Sequence, residues 1–423
     1  MKIRVLSLFV ALFATTALWA SDFSYYGLYY DIVGVSTGYD MAEVTHPPYH
    51  NLYSHDTVII PSSAKKNGYK SYRVIGIGSS AFAGCTNLTS ITFSFGVTYI
   101  RGAAFEGCTS LASITIPEGV EDIASGAFSN CNSLTSIVVE NGNSIYDSRD
   151  NCNAIIETES NTLFQGCNTT IIPNSVTSIG NNAFKGCTGL TSIIIPENVR
   201  SIEEGVFENC TGLTSVTIGN GVTSIGKNAF KGCTGLTSIT VPENVRSIEE
   251  GVFENCTGLT SVTIGNGVTS IGKNAFKGCT GLTSITIPEN VRSIEEGAFF
   301  GCTGLTSVTI PNSVTSIGQQ AFYGCTSLFS ITLPNVHNIG KNAFYGVYNV
   351  VARIIFSGAP WGASNLNGYV DGYFIYKDSE KKQLLKCNKV AVGAITISDS
   401  VTSIGSSAFY GCAGITSITS PIA

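Results

Sequence analysis

The sequence predicts a single α/β repeat solenoid, a right-handed superhelix of about twelve coils with a parallel β-sheet, short helical turns and an N-terminal β cap. Three observations carry this prediction. Cys85, Cys108 and Cys131 stand 23 residues apart, and so do Cys187, Cys210, Cys233, Cys256, Cys279, Cys302 and Cys325. An apolar frame travels with each of these cysteines. Residues 188–233 also recur as 234–279 with two changes, Ile194 to Thr240 and Ile195 to Val241. Spacing this regular marks units that stack on one another rather than fold separately.

The frame is clearest in Ala183-Phe184-Lys185-Gly186-Cys187-Thr188-Gly189-Leu190-Thr191-Ser192-Ile193-Ile194-Ile195-Pro196, followed by Val199 and Ile202. Leu190, Ile193 and Ile195 spell L-x-x-I-x-I, the strand signature of a leucine-rich repeat. In a strand, Ile193 and Ile195 face one side and Ile194 the other, so the regular apolar set lines an interior. One coil cannot cover that interior. Stacking coils about 4.8 Å apart buries each Leu, Ile, Val, Phe and Cys against its equivalent in the next coil, and twelve coils give a length of about 60 Å. Pro196 lacks a backbone donor and ends the strand, while Ala183 to Gly186 suits one short helical turn closed by glycine.

The copied unit spans two coils, and its charges alternate between neighbouring coils. Glu204, Lys227, Glu250, Lys273 and Glu296 form one column; Lys185, Glu208, Lys231, Glu254 and Lys277 form another. Alternation avoids the like-charge file that a one-coil copy would create, although each exposed pair contributes only about 0–1 kcal/mol. The columns read as devices of register and solubility.

Outside the regular coils the chain divides as follows. Residues 1–20 carry Lys2 and Arg4, an apolar run from Val5 to Leu18 and a small residue before Ser21, which is the pattern of a secretory signal peptide. Residues 21–78 are the N-terminal cap. There Asn67-Gly68 is a turn signal between Val58-Ile59-Ile60 and Tyr72-Arg73-Val74, and Tyr25, Tyr26, Tyr29, Tyr30, Tyr49 and Tyr53 belong either to the cap or to an aromatic contact surface. The solenoid runs over 79–346, with a hairpin insertion near 140–165. A second insertion with a β-hairpin follows at 347–396, and a final repeat at 397–423.

The frame A-F-x-G-C-T-x-L-T-S-I-T-I-P-x-x-V-x-S-I-G resembles the BspA-type leucine-rich repeats of bacterial surface and secreted proteins, over roughly residues 74–346 and 397–419. The segment from Tyr146 to Thr158 and the N-terminal hairpin region look like segments of Bacteroidetes members. The resemblance implies a secreted or cell-surface location and a role in adhesion to host proteins or other cells. It brings no catalytic residues.

Composition agrees with a folded, recognition-type protein. Charged residues make up 12% of the chain and hydrophobic ones 43%, so apolar surface is ample, and a net charge of −6 argues against nucleic acid or an anionic membrane as partner. No stretch after residue 20 is long and apolar enough to span a bilayer. The 14 cysteines include no paired C-x-x-C or Cys/His spacing for zinc. Ladder cysteines one coil apart point in parallel and lie beyond the usual Cβ separation of a disulfide, so they are expected as buried thiols, with Cys152 and Cys387 as exceptions. His46, His50 and His55 cluster in the cap without a spacing that would converge them on a metal, and His337 stands alone. Catalytic, cofactor and metal sites are therefore all expected to be absent: a Ser/His/Asp or Cys/His set needs a unique constellation, and here those residue types are multiplied by duplication.

What remains is a face. Ser215, Ser238, Ser261, Ser284, Ser307 and Ser330, with Thr217, Thr240, Thr263, Thr286, Thr309 and Thr332 two residues after each, occupy outward strand positions at 23-residue spacing, the first five of each column being the candidate residues. This hydroxyl-rich sheet is the candidate surface for an extracellular protein or glycan. The alternatives are an ice-binding array, or Ser and Thr simply keeping an exposed β face soluble in a passive spacer.

Overall fold

The computed structural model describes residues 21–423 except 36–38, 48–52, 329, 334–335, 337, 348–354, 357–368, 372–373, 377–379, 388–392, 407 and 421–423. The segment 1–20, with its signal-peptide pattern, lies outside the described residues. Each regular coil contributes two strands. A longer one, such as Ser192–Ile195 or Ser238–Val241, pairs in parallel with its equivalent 23 residues on, Ser192 with Ser215 and Ser238 with Ser261. A two-residue strand, such as Ser178–Ile179 or Ser201–Ile202, pairs the same way, Ile179 with Ile202 and Ile202 with Ile225. The result is a parallel β-solenoid of about 13 turns.

The third side of each coil is a run of tight turns, in place of the expected short helical turns. Phe184 and Gly186 N–H donate to Val206 and Glu208 carbonyls of the next coil (2.9 and 2.8 Å), while Lys185 and Cys187 N–H close locally on Asn182 and Phe184 (3.0 and 2.9 Å). Half the donors thus leave the coil sideways, and none runs back four residues as a helix requires. Asn182 (φ 58°) and Gly186 (φ 72°) are also left-handed, which breaks any helical run. Among the described residues the helical element is the single 3-10 turn Arg149–Asn151, so the architecture is nearly all β.

The core is built as files. Phe184, Phe207, Phe230, Phe253, Phe276, Phe299, Phe322 and Phe344 stack ring on ring with centroids 5.1–5.7 Å apart, and Phe82, Phe105 and Phe128 do so at 5.3 Å. Cysteines form the adjoining file. The Cys210, Cys233, Cys256 and Cys279 thiols each donate to the carbonyl of the phenylalanine in the coil before, at 3.0 Å. That carbonyl also accepts the N–H of its own coil's cysteine, so both lone pairs are used.

Between the two ring files, the coil through Cys167 is short. Leu163 pairs with Ile179, and Gly166 follows after only three residues, its N–H on the Ala183 carbonyl at 2.8 Å. Gly166 therefore stands at a phenylalanine station, and a Cβ there would lie 2.1 Å from Cε1 of Phe184. Buried Gln165 seals the gap by donating to the Gly166 and Ala183 carbonyls.

Neighbouring coils are complementary in size as well as charge. Over residues 182–278 each turn has two left-handed residues, Asn then Gly in one coil (Asn182, Gly186) and Gly then Asn in the next (Gly205, Asn209). A Cβ on Gly205 would meet Asn182 Oδ1 at 2.5 Å, and one on Gly251 would meet Asn228 Oδ1 at 2.2 Å. At the corner after the longer strand, a Cβ on Gly221 would meet the Glu197 carbonyl oxygen at 1.8 Å, and one on Gly267 that of Glu243 at 1.9 Å. The charge columns bridge the same steps: Lys185 to Glu208 at 2.8 Å, Lys227 to Glu250 at 3.5 Å, Lys273 to Glu296 at 3.3 Å, and Glu254 to both Lys231 (3.4 Å) and Lys277 (2.9 Å). Large over small and plus over minus both require a two-coil unit.

At the N-terminal end, Phe23–Tyr25, Leu28–Val35 and Asp40–Thr45 are antiparallel neighbours. Asp40–Thr45 then runs parallel to Lys70–Ile77, which continues onto Tyr99–Ile100. Asn67-Gly68 does turn a hairpin, with φ of 53° and 74°, but its first arm is Ser63–Lys66 rather than Val58-Ile59-Ile60. Thr57–Ile60 instead pairs in parallel with Ser90–Phe93, because its alternation, with Val58 and Ile60 buried and Ile59 exposed, is that of the longer solenoid strands. Tyr30 and Tyr53 are core residues, and the Tyr53 ring lies 4.9 Å from that of Phe82, the first of its file. Tyr26 is exposed, and Tyr49 lies outside the described residues.

The Tyr53 hydroxyl donates to the Thr45 carbonyl, whereas the fully buried Tyr30 hydroxyl has no partner. Tyr30→Phe is therefore expected to raise stability by about 1 kcal/mol, because it removes an unsatisfied buried polar atom; chemical denaturation checks this.

Both insertions end alike. Tyr146–Asp147, Ile155–Glu157 and Thr162–Gln165 form an antiparallel ribbon whose last strand joins Ser178–Ile179 in parallel. Tyr369–Asp371, Phe374–Tyr376 and Gln383–Cys387 do the same onto Ser403–Ile404. Among the described residues no helix is long and apolar enough to cross a membrane.

Candidate binding face

The longer strands hold the candidate residues in files. Val216, Ile239, Ile285 and Val308 turn inward and are buried, which forces the residues on either side of each to point outward. Ser215, Thr217, Ser238, Thr240, Ser261, Thr263, Ser284, Thr286 and Thr309 are exposed, and Ser307 is half-buried. Register aligns them: Thr240 lies beside Thr263, Thr286 beside Thr309, Ser284 beside Ser307. The 23-residue periodicity thus brings all ten onto one face.

The structure also separates two threonine populations that look alike in sequence. Thr214, Thr237, Thr260 and Thr306, one residue before each serine, donate their hydroxyls to the carbonyl of the corresponding threonine in the preceding coil, at 3.0, 3.4, 3.0 and 2.9 Å. They clamp coil to coil. The ten outward hydroxyls from Ser215 to Thr309 make no hydrogen bond to the described residues, which leaves their donors and acceptors open to solvent or a ligand.

The face continues beyond the ten candidate residues. Ser90, Thr92, Ser113 and Thr115 occupy the same outward stations nearer the N-terminus and are exposed. Between the two hydroxyl stretches, three successive coils place aliphatic side chains outward: Val138 at 45% exposure, Ile171 at 75% and Ile194 at 70%. The signal was available in the frame, where these positions break the threonine file.

The chemistry weighed elsewhere does not assemble. His46 Nδ1 lies 2.7 Å from the Pro47 carbonyl, His55 is exposed, and His50 and His337 lie outside the described residues. Among the described residues no three His, Cys, Asp or Glu side chains group as a metal site would. No disulfide joins the ladder cysteines, and Cys152 and Cys387 are both buried.

Residues 68–158, 156–283, 269–358 and 386–422 match the family model of the BspA type leucine rich repeat region. The chain belongs to the BspA-type leucine-rich-repeat family. Solved structures of similar chains include a leucine-rich repeat protein of Bacteroides ovatus ATCC 8483, 22% identical, with 80% of this chain and 99% of that one covered and a TM-score of 0.35. A leucine rich cell surface protein of Faecalibacterium prausnitzii A2-165 is 21% identical over 95% of both chains, with a TM-score of 0.41. A leucine-rich repeat protein of Eubacterium ventriosum ATCC 27560 is 21% identical over 72% of this chain and 90% of that one, with a TM-score of 0.47. No curated protein matches the chain. The BspA-type match runs through the first insertion and stops on either side of residues 359–385, in the second.

Proposed function

We propose that the protein is a non-catalytic, exported recognition module that binds an extracellular protein, in the manner of an adhesin, through the outward face of its longer strands. The observation that carries the reading is the set of unbonded hydroxyls from Ser215 to Thr309 beside the exposed Val138, Ile171 and Ile194. A protein interface wants an apolar centre within a polar surround, and a sheet built only for solubility has no need to expose three aliphatic side chains in succession. Membership of the BspA-type family and the signal-peptide pattern of residues 1–20 support an extracellular setting.

The test is capture of extracellular matrix proteins and glycans on the immobilised chain, followed by titration of what is retained. Replacing Ile194 and Thr240 by lysine is expected to weaken a retained protein by roughly thirtyfold while leaving the circular dichroism unchanged. Retention of glycans alone, or of nothing above a control with a scrambled face, would refute the reading and favour a glycan-binding or passive spacer role.

A further inference from the structure

Cys387 stands where other coils put phenylalanine. Leu384 pairs with Ile404, and three residues later the Cys387 N–H donates to the Ala408 carbonyl at 2.6 Å, the bond that Phe184 N–H makes to Val206. Its side chain is buried, at 1% exposure. Cys412 holds the ordinary cysteine station of the following coil. Its thiol reaches the Cys387 carbonyl at 3.5 Å, as the Cys210 thiol reaches that of Phe184 at 3.0 Å. A phenylalanine ring would fill this station; here a second thiol stands in its place, on the very residue whose carbonyl the Cys412 thiol reaches. Cys210, Cys233, Cys256 and Cys279 make the same bond to a phenylalanine and have no second thiol at that station.

We propose that Cys387 and Cys412 are joined by a disulfide in the exported protein, closing the segment 387–412 and tying the hairpin of the second insertion to the final coil. The need for it is local. Among the described residues the buried core there is Leu384, Cys387, Ile395, Ile397 and Val401, with Cys387 in the place of the phenylalanine, so a crosslink supplies restraint that the stacked rings supply elsewhere.

The reaction is thiol–disulfide exchange with a small disulfide such as oxidised glutathione. Half-buried Cys412 loses its proton to solvent and its thiolate attacks one sulfur of the small disulfide, expelling a small thiolate and leaving a mixed disulfide. Cys387 then gives up its proton and displaces the second small thiolate. Two protein thiols are oxidised by two electrons, and one small disulfide is reduced to two thiols. Burial, with Cys412 adding to it, pushes the Cys387 thiol up to about 12, so the second step is the slow one and quickens with pH.

The full chain, equilibrated in a glutathione redox buffer, is denatured in an alkylating agent and mapped by mass spectrometry. The expected result is alkylation of all but two of the 14 cysteines and one crosslinked peptide joining Cys387 to Cys412, with all 14 alkylated after reduction. Alkylation of all 14 without reduction, or a crosslink within the ladder, overturns the proposal. Cys387→Phe restores the regular station and is expected to leave every remaining cysteine alkylated. A crosslink to Cys412 that persists in that variant also overturns it.

Discussion

Raising the pH to about 10 is expected to unfold the solenoid cooperatively, because the buried thiols hold their protons in the folded chain and lose them in the unfolded one. Burial pushes the Cys131, Cys210, Cys256 and Cys325 thiols from an ordinary value of 9.0 up to about 12, and it raises Cys187, Cys233, Cys279 and Cys302 as well. The sign follows from proton counting. Below pH 9 both states carry the proton and pH has no effect through these groups. Above it the unfolded chain binds fewer protons than the folded one, so stability falls until the folded thiols ionise near 12. At about pH 10 each thiol has cost roughly 1.4 kcal/mol, and these eight together roughly 11 kcal/mol, which is comparable to the whole stability of an ordinary domain. A pH titration followed by circular dichroism and by thiolate absorbance should show both signals changing together between about pH 9 and 10.5. Thiols that titrate near 9 with the β signal intact would mean that the cysteines are open to water.

Phe276→Ala is the second large effect. The Phe276 ring is fully buried and stacks at 5.2 Å on both Phe253 and Phe299, while its carbonyl receives the Cys302 thiol. Truncation leaves a ring-sized cavity in the file and strips two aromatic contacts, an expected loss of about 3–5 kcal/mol. Only the two flanking coils touch the cavity, so hydrogen exchange should accelerate there first and spread outward. Phe95 is 95% exposed, and Phe95→Ala is expected to stay within about 0.5 kcal/mol of the parent. Denaturant titration of the two variants side by side checks both.

How much was legible in the sequence differs from one side of the coil to another. Period-2 alternation inside a 23-residue repeat is enough to place Ser215 and Thr217 outward and Phe207, Phe230 and Phe253 in one file, because register follows directly from the repeat. The turns are not legible, since Ala183 to Gly186 suits a helical turn locally. What decides against it is the Phe184 N–H bond to the next coil, which no single coil encodes. Val58-Ile59-Ile60 reads as a hairpin arm because the Asn67-Gly68 turn signal follows it, although its buried Val58 and Ile60 and exposed Ile59 match the solenoid strands. The division between clamping Thr214 and open Thr217 is invisible to propensity, because it depends on which hydroxyl lies within reach of the preceding coil's carbonyl. The two-coil period looked like charge alternation alone; the larger constraint is that Gly221 and Gly251 have no room for a Cβ against their neighbours.

That constraint is tested by excision. Removing residues 188–233 takes out one two-coil unit and joins Cys187 to Thr234, which keeps Gly over Asn and Lys beside Glu at every remaining step. Removing 188–210 takes out a single coil and sets the Asn228 turn against that of Asn182, where Gly205 had no room for a Cβ, and Lys231 against Lys185. Thermal unfolding of both chains beside the parent is the decisive measurement. The two-coil excision is expected to melt within a few degrees of the parent and the single-coil excision far below it, despite losing half as many residues. Equal midpoints for the two, or a single-coil chain that melts higher, would contradict the claim that neighbouring coils are built as complementary halves of one unit.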